Sequence, residues 1–171
     1  MAESKQLTFW TVGHSAADLD DLFRLLAGQR IDVLADVRSS PYSQHVPQAN
    51  RDVLEAAAPR FGVEYVFLGG ELGGRPADDS LLLADGKPDY EAMAATRAFQ
   101  RGLEELRRLA ATRRVCCLCS EEDPARCHRS MLVAEALVRG GDAVLHLRHD
   151  GRVETQAEVT RRRTGGQLSL F

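Results

Sequence analysis

The chain has 171 residues, enough for one well-buried domain and too few for two ordinary ones. Its 22 Lys and Arg stand against 25 Asp and Glu, a formal charge of -3, which excludes a global basic field of the kind that draws a whole domain to nucleic acid. No apolar run approaches the length of a membrane span, and the four cysteines fall within twelve positions with two of them adjacent in an apolar stretch. A disulfide framework does not fit that spacing. Reduced thiols in a soluble, cytoplasmic protein are expected.

In chain order, Leu7 to Val12 is β-prone and stops at Gly13-His14-Ser15, which gives a first strand. Ser15 is a candidate helix cap with Asp18 three residues on, and Leu19, Leu22, Phe23 and Leu26 mark one helical face before Gly28. Ile31 to Val37 reads as a second strand closed by Ser39-Ser40-Pro41. Arg51 to Arg60 reads as a helix ended by Gly62, and Val63 to Leu68 as a third strand. Residues 69–76, rich in glycine, are expected to form an irregular loop.

From Asp89 the spacing of Phe99, Leu103, Leu106 and Ala110 predicts one long helix. Val115 to Leu118 is a fourth strand. Asp123 and Pro124 suit the cap and first residue of a helix running to Gly140-Gly141, and Ala143 to Leu147 is a fifth strand. Strands alternating with helices at this spacing predict an α/β fold: a three-layer, Rossmann-like or flavodoxin-like domain with a mainly parallel sheet of about five strands. That domain is expected over residues 1–150, and residues 151–171 are expected to be a basic flexible tail.

A parallel sheet delivers every strand's last residues to one edge. His14 and Ser15, Asp36, Arg38 and Ser39, the glycine loop, and Cys119 with Glu121 then converge there. His14, Asp36, Cys119 and Glu121 are the candidate catalytic groups. Ser15, Arg38, Ser39, Gly73, Gly74, His128 and Arg129 are the candidate anion- or substrate-binding groups. Against these stand plainer readings: His14 hydrogen-bonding its own loop, and Asp36 with Arg38 as a structural ion pair.

Cys119-Ser120-Glu121-Glu122-Asp123-Pro124-Ala125-Arg126-Cys127-His128-Arg129 concentrates chemistry where a strand hands over to a helix. A metal site on Cys119, Cys127 and His128 is not expected, because adjacent residues of one helix point about 100° apart. A phosphatase or sulfurtransferase loop fails on spacing, since Arg126 lies seven residues after Cys119, and three acids intervene. Cys127 shares an apolar stripe with Met131, Ala134 and Val138 and is expected in the core. No cofactor is expected.

Thr11-Val12-Gly13-His14-Ser15, Asp36-Val37-Arg38-Ser39 with Pro41, Leu68 to Gly74, and Cys119 with Glu121 before Cys127-His128-Arg129 together resemble the DUF488 family. The resemblance implies a compact bacterial α/β domain over roughly residues 7–150 and no established activity. Its candidate site is the same set: His14, Ser15, Asp36, Arg38, Gly73, Gly74, Cys119, Glu121, His128 and Arg129.

Separately, Gln167-Leu168-Ser169-Leu170-Phe171 resembles the pentapeptide that docks bacterial polymerases and repair proteins on the DNA sliding clamp. Leu168, Leu170 and Phe171 would fill apolar pockets and Gln167 would bond at the rim, while Arg161 to Arg163 would contact DNA. The leading expectation is an enzyme acting on a phosphorylated, nucleotide or nucleic-acid substrate by hydrolysis or glycosyl or phosphoryl transfer, linked to replication or repair. The alternatives are a non-catalytic adaptor for the clamp and a thiol-based redox or sulfur-transfer protein using Cys119.

Overall fold

The computed structural model describes residues 4–165. A six-stranded sheet runs in the order β3-β2-β4-β1-β5-β6, from strands β1 (Thr8–Gly13), β2 (Val33–Asp36), β3 (Glu64–Phe67), β4 (Val115–Cys119), β5 (Ala143–Leu147) and β6 (Val153–Thr155). All neighbours are parallel except β5 and β6. Period-two alternation sends Val33, Ala35, Val115 and Cys117 to one face and Leu34, Cys116 and Leu118 to the other. Both faces are apolar because both are covered.

Helices α1 (Leu19–Gly28) and α2 (Arg51–Ala57) cover the second face through Leu22, Phe23, Leu26 and Leu54. The first face carries α3 (Gly69–Leu72), α4 (Tyr90–Ala94), α5 (Arg97–Ala110) and α6 (Glu135–Arg139). This is the three-layer α/β arrangement that the periodicity predicts, with one strand more. The chain leaves β1 and β2 toward one face, but it leaves β4, which lies between them, toward the other. Strand ends that diverge in this way open a crevice.

Five expectations need correction. The cap of α1 is Asp18, which accepts from the Asp21 N–H at 2.8 Å, while Ser15 sits in the preceding turn at φ 45°. The glycine segment begins with a helical turn, α3, before it becomes irregular. The long helix from Asp89 is two helices, because Thr96 turns extended and its hydroxyl caps α5 at the Phe99 N–H.

The fourth correction shapes the site. Asp123 and Pro124 do start a turn, but it is a 3₁₀ turn of three residues, and Cys127 is extended at φ -130° and ψ 144°. The chain then re-enters as a π-helical stretch, Arg129–Ala134, that runs into α6. The change of winding shifts the phase of the stripe. Leu132, Val133 and Leu137 are buried while Val138 is 40% exposed.

The fifth concerns residues 153–163, which are not tail but β6 and α7 (Gln156–Arg163). Thr155 and Glu158 close a reciprocal capping box on α7, a signal already present in the sequence. Arg162 bonds both oxygens of Asp123 and reaches Glu154. Val159 and Gln156 are buried under the helix. Residues 167–171, the pentapeptide, lie outside the described residues.

Gln156 ends a buried polar chain. Arg129 Nε–H donates to Thr11 Oγ1 at 3.0 Å, Thr11 meets His146 Nδ1 at 2.6 Å, and His146 Nε2 meets Gln156 Oε1 at 2.8 Å. Burial pushes the His146 pKa down to about 4, the charge of Arg129 adds to the effect, and the Gln156 contact opposes it. Unfolding restores an imidazole that titrates near 6.5. The unfolded chain therefore binds the extra proton as pH falls from about 6.5 toward 4, and stability drops across that window by up to about 3 kcal/mol. Urea titrations at several pH values should show a clearly flatter dependence for His146→Gln. Parallel curves for the two proteins would refute this assignment.

Candidate active site at the ends of β2 and β4

The loop after β4 is pinned from beneath. His14 N–H donates to Cys119 O at 2.9 Å and Ser15 N–H to Ser120 O at 2.8 Å, so pairing with the β1 side continues past the strand. Arg129 is fully buried and spends its guanidinium on this loop, donating to Glu121 O, to Glu122 O at 3.0 Å and to Thr11 Oγ1. The Glu122 carboxylate is clasped by Arg148 at 3.0 and 2.9 Å, and Asp123 by Arg162. Those arginines hold both carboxyls below their usual range, Asp123 down to about 2. Two of the three intervening acids are thus neutralised, which weakens the objection that they would repel an anion.

Cys119, Cys127 and His128 converge above this loop. Cys119 Sγ lies 3.5 Å and Cys127 Sγ 3.9 Å from His128 Nδ1, and the three atoms are all within 4.8 Å of one another. His128 Nε2 is 2.8 Å from Val37 O, which can only accept, so Nε2 carries the proton and Nδ1 turns its lone pair to the sulfurs. The Arg129 backbone N–H donates to Cys127 Sγ at 3.5 Å.

Cys127 is pushed well down from a free thiol's range, because the Cys119 thiol donates to it and the charge of Arg129 faces it; burial opposes this. Cys119 is pushed up by that same hydrogen bond and by burial. Cys116 and Cys117, buried in the sheet, are pushed up by desolvation and belong to the packing.

Gly74 backs the imidazole. A Cβ there would stand 2.6 Å from His128 Cγ, so the glycine loop lies flat on the ring because it carries no side chain. Gly73 approaches Ser39 in the same way, and Ser39 Oγ accepts from the Arg75 N–H at 2.9 Å. Gly74→Ala should swing His128 out of line with the two sulfurs while costing only about 1–2 kcal/mol of stability. The imidazole proton resonances and the denaturation midpoint report the two effects, and an unmoved ring would count against this packing.

A cleft of about 510 Å³ lies above the cluster, lined by Arg38, Ser39, Tyr42, Gly74, Arg75, Tyr90, Glu121, Arg126 and the three cluster residues, among others. Of the groups expected there, Arg38, Ser39, Gly74, Cys119, Glu121 and His128 line the cleft, and Gly73 supports Ser39 from behind. His14, Ser15, Asp36 and Arg129 do not line it.

Asp36 is fully buried, and both of its oxygens are occupied: Arg38 Nε at 2.8 Å, Arg38 Nη2 at 2.7 Å and the Tyr65 hydroxyl at 2.5 Å. It positions Arg38, whose Nη1 has no hydrogen-bond partner among the described residues. Burial and the Asp36 contact push the Tyr65 phenol up. His14 Nδ1 bonds Ser15 O at 2.8 Å, its Nε2 is buried without a partner among the described residues, and burial lowers its pKa.

Sequence reasoning missed Cys127, Tyr42, Tyr90, Arg75 and Arg126. Cys127 and Arg126 had a signal in their place in the Cys119 to Arg129 run, and Arg75 in its place within the glycine loop; Tyr42 and Tyr90 arrive by folding. The model of DUF488, a domain of unknown function, matches residues 18–137. The chain belongs to the DUF488 family. The DUF488 match takes in Asp36, Arg38, the glycine loop and the whole run from Cys119 to Arg129, and it stops within α6. Comparison with curated proteins and with solved structures returned no match. Among the described residues, no helix of this DUF488 protein is long and apolar enough to cross a membrane.

Proposed function

We propose that this DUF488 protein is an enzyme that binds a phosphate-bearing, nucleotide-like substrate in the cleft and carries out hydrolysis or group transfer at the Cys119, Cys127 and His128 cluster. The observation that carries this reading is the meeting, in one crevice at a topological switch point, of three guanidinium groups with that cluster. Arg75 and Arg126 are exposed and free to close on an anion, while Arg38 is held rigid by Asp36. Tyr42, 59% exposed at the rim, offers a face for a base or another ring. Among the described residues Glu121 is the one carboxylate lining the cleft and is the candidate acid or base.

Calorimetric titration with inorganic phosphate, AMP and ADP tests the reading. At least one should bind, and Arg75→Ala or Arg126→Ala should each weaken it roughly 10-fold, the worth of one charge-assisted hydrogen bond. If none binds, or the arginines make no difference, the reading fails.

Residues 167–171 support a second, independent proposal: that Gln167, Leu168, Leu170 and Phe171 dock the protein on the DNA sliding clamp. Its support is the pattern itself, which follows α7 after a glycine pair. Arg161 and Arg163 would supply the contacts to nearby DNA, since Arg162 is committed to Asp123 and Glu154. Clamp binding should be lost when 167–171 are removed and should survive Cys127→Ser. Equal binding by the intact and shortened chains, or none by either, would remove this proposal.

A further inference from the structure

We propose that Cys119, Cys127 and His128 bind one transition-metal ion of the zinc class, with its remaining coordination position open to the cleft; the proposal deepens the active-site reading above and rests on it. Metal bonds of about 2.3 Å to sulfur and about 2.0–2.1 Å to nitrogen, set at the tetrahedral angle, require ligand separations of about 3.6 Å (S to N) and about 3.8 Å (S to S). The observed Sγ to Nδ1 distances are 3.5 and 3.9 Å, and all three atoms lie within 4.8 Å of one another. The side chains already stand within a few tenths of an ångström of two of those separations.

The expectation that Cys127 and His128 diverge assumed one continuous helix. Cys127 is instead extended, at φ -130° and ψ 144°, and His128 is the first residue to turn helical, at φ -60° and ψ -20°. That break folds the thiol back beside the imidazole. Two further contacts match the surroundings of a bound metal. The Val37 carbonyl fixes the Nε2–H tautomer and leaves Nδ1 as the ligating atom, and the Arg129 N–H steadies Cys127 Sγ.

The ligand set also names the ion's class. Two sulfurs and an imidazole nitrogen select zinc or a similar soft-to-borderline metal over magnesium or calcium, which demand oxygen. Among the described residues no fourth Cys, His, Asp or Glu joins the group. A structural zinc site is closed by four protein ligands, whereas a reactive one keeps a position for water or substrate. Here the three ligands line the floor of the cleft, so the open position faces the proposed substrate.

The full chain, stripped with a chelator and dialysed against zinc, should retain one equivalent by elemental analysis. Cobalt(II) in its place should give thiolate-to-metal charge-transfer absorption and the intense visible bands of a tetrahedral site. Cys119→Ser and Cys127→Ser should each weaken zinc binding by at least roughly 100-fold, since even outer contacts are worth 10- to 100-fold. Arg75→Ala should leave zinc binding unchanged while weakening phosphate binding. Sub-stoichiometric zinc with no charge-transfer band in the unaltered protein overturns the metal site. Should that same protein still bind phosphate or a nucleotide through Arg75, the active-site reading stands without the metal. Stoichiometric zinc in a protein that binds neither has the opposite meaning: the metal site is upheld and the substrate reading is lost.

Discussion

Arg129→Met should destabilise the folded protein by about 4 kcal/mol, more than a typical core truncation, although methionine is apolar and close in size. Arg129 is fully buried, and no carboxylate pairs with it among the described residues. Its side chain is held by Thr11 Oγ1 and the carbonyls of Glu121 and Glu122. Replacing a buried ion pair on both sides with apolar groups is often harmless, but here two of the three acceptors are main-chain atoms that no substitution removes. Methionine would leave two carbonyls and a hydroxyl without a donor, at about 1–3 kcal/mol each, offset in part by relaxation of the loop. Arg129→Lys should recover only part of the loss, because one ammonium cannot span a fork of three acceptors. Urea denaturation of the three proteins measures this directly. A loss under about 1 kcal/mol for the methionine variant would mean that the loop does not depend on Arg129.

The same residue shows where sequence reasoning runs out. Arg129 lies off the expected apolar stripe, so its polarity suggests an anion clamp. Its real partners are backbone carbonyls of a loop seven and eight positions earlier, which no side-chain pattern records. Cys127 is buried, as a helical stripe has it, but by a different route: the chain winds as a 3₁₀ turn, an extended residue and a π-helical stretch, whereas periodicity assumes one pitch throughout, and the buried thiol ends beside His128 at the cleft.

What the sequence does carry is the sheet. Period-two runs in β2 and β4 and the Phe99, Leu103 and Leu106 stripe of α5 depend on burial by whichever neighbour is present, so they are legible without knowing the neighbour. α7 is the converse. It buries only Gln156 and Val159, too little for an apolar pattern, and is held by ion pairs to Asp123 and Glu154 that only the fold brings together. The Asp36 and Arg38 pair, two residues apart, was readable as an ion pair; that Tyr65 would complete its enclosure was not.

Gly13→Ala should be comparably damaging for a steric reason. A Cβ on Gly13 would stand 1.6 Å from Glu121 O and 2.3 Å from Glu121 C, both backbone atoms that no rotamer change can move aside. Relief needs a separation about 2 Å larger, and neither side yields easily. Gly13 is in register with Cys119 across the β1 and β4 pairing, and its carbonyl accepts from His149 Nε2 at 2.6 Å. The opposing loop is tied down by Arg129 and by the clasp of Arg148 on Glu122. Overpacking against such a frame costs about 3 kcal/mol, which for a domain of this size lowers the melting temperature by about 10 °C. The folded fraction should also lose the alignment of Cys119 with Cys127 and His128, because the displaced backbone is the one that follows Cys119 out of β4. Thermal melts, together with cobalt(II) absorption of the surviving native protein, separate the two consequences. A variant that melts within about 2 °C of the parent would show that the loop moves freely, and the pinning described for Arg129 would then be wrong as well.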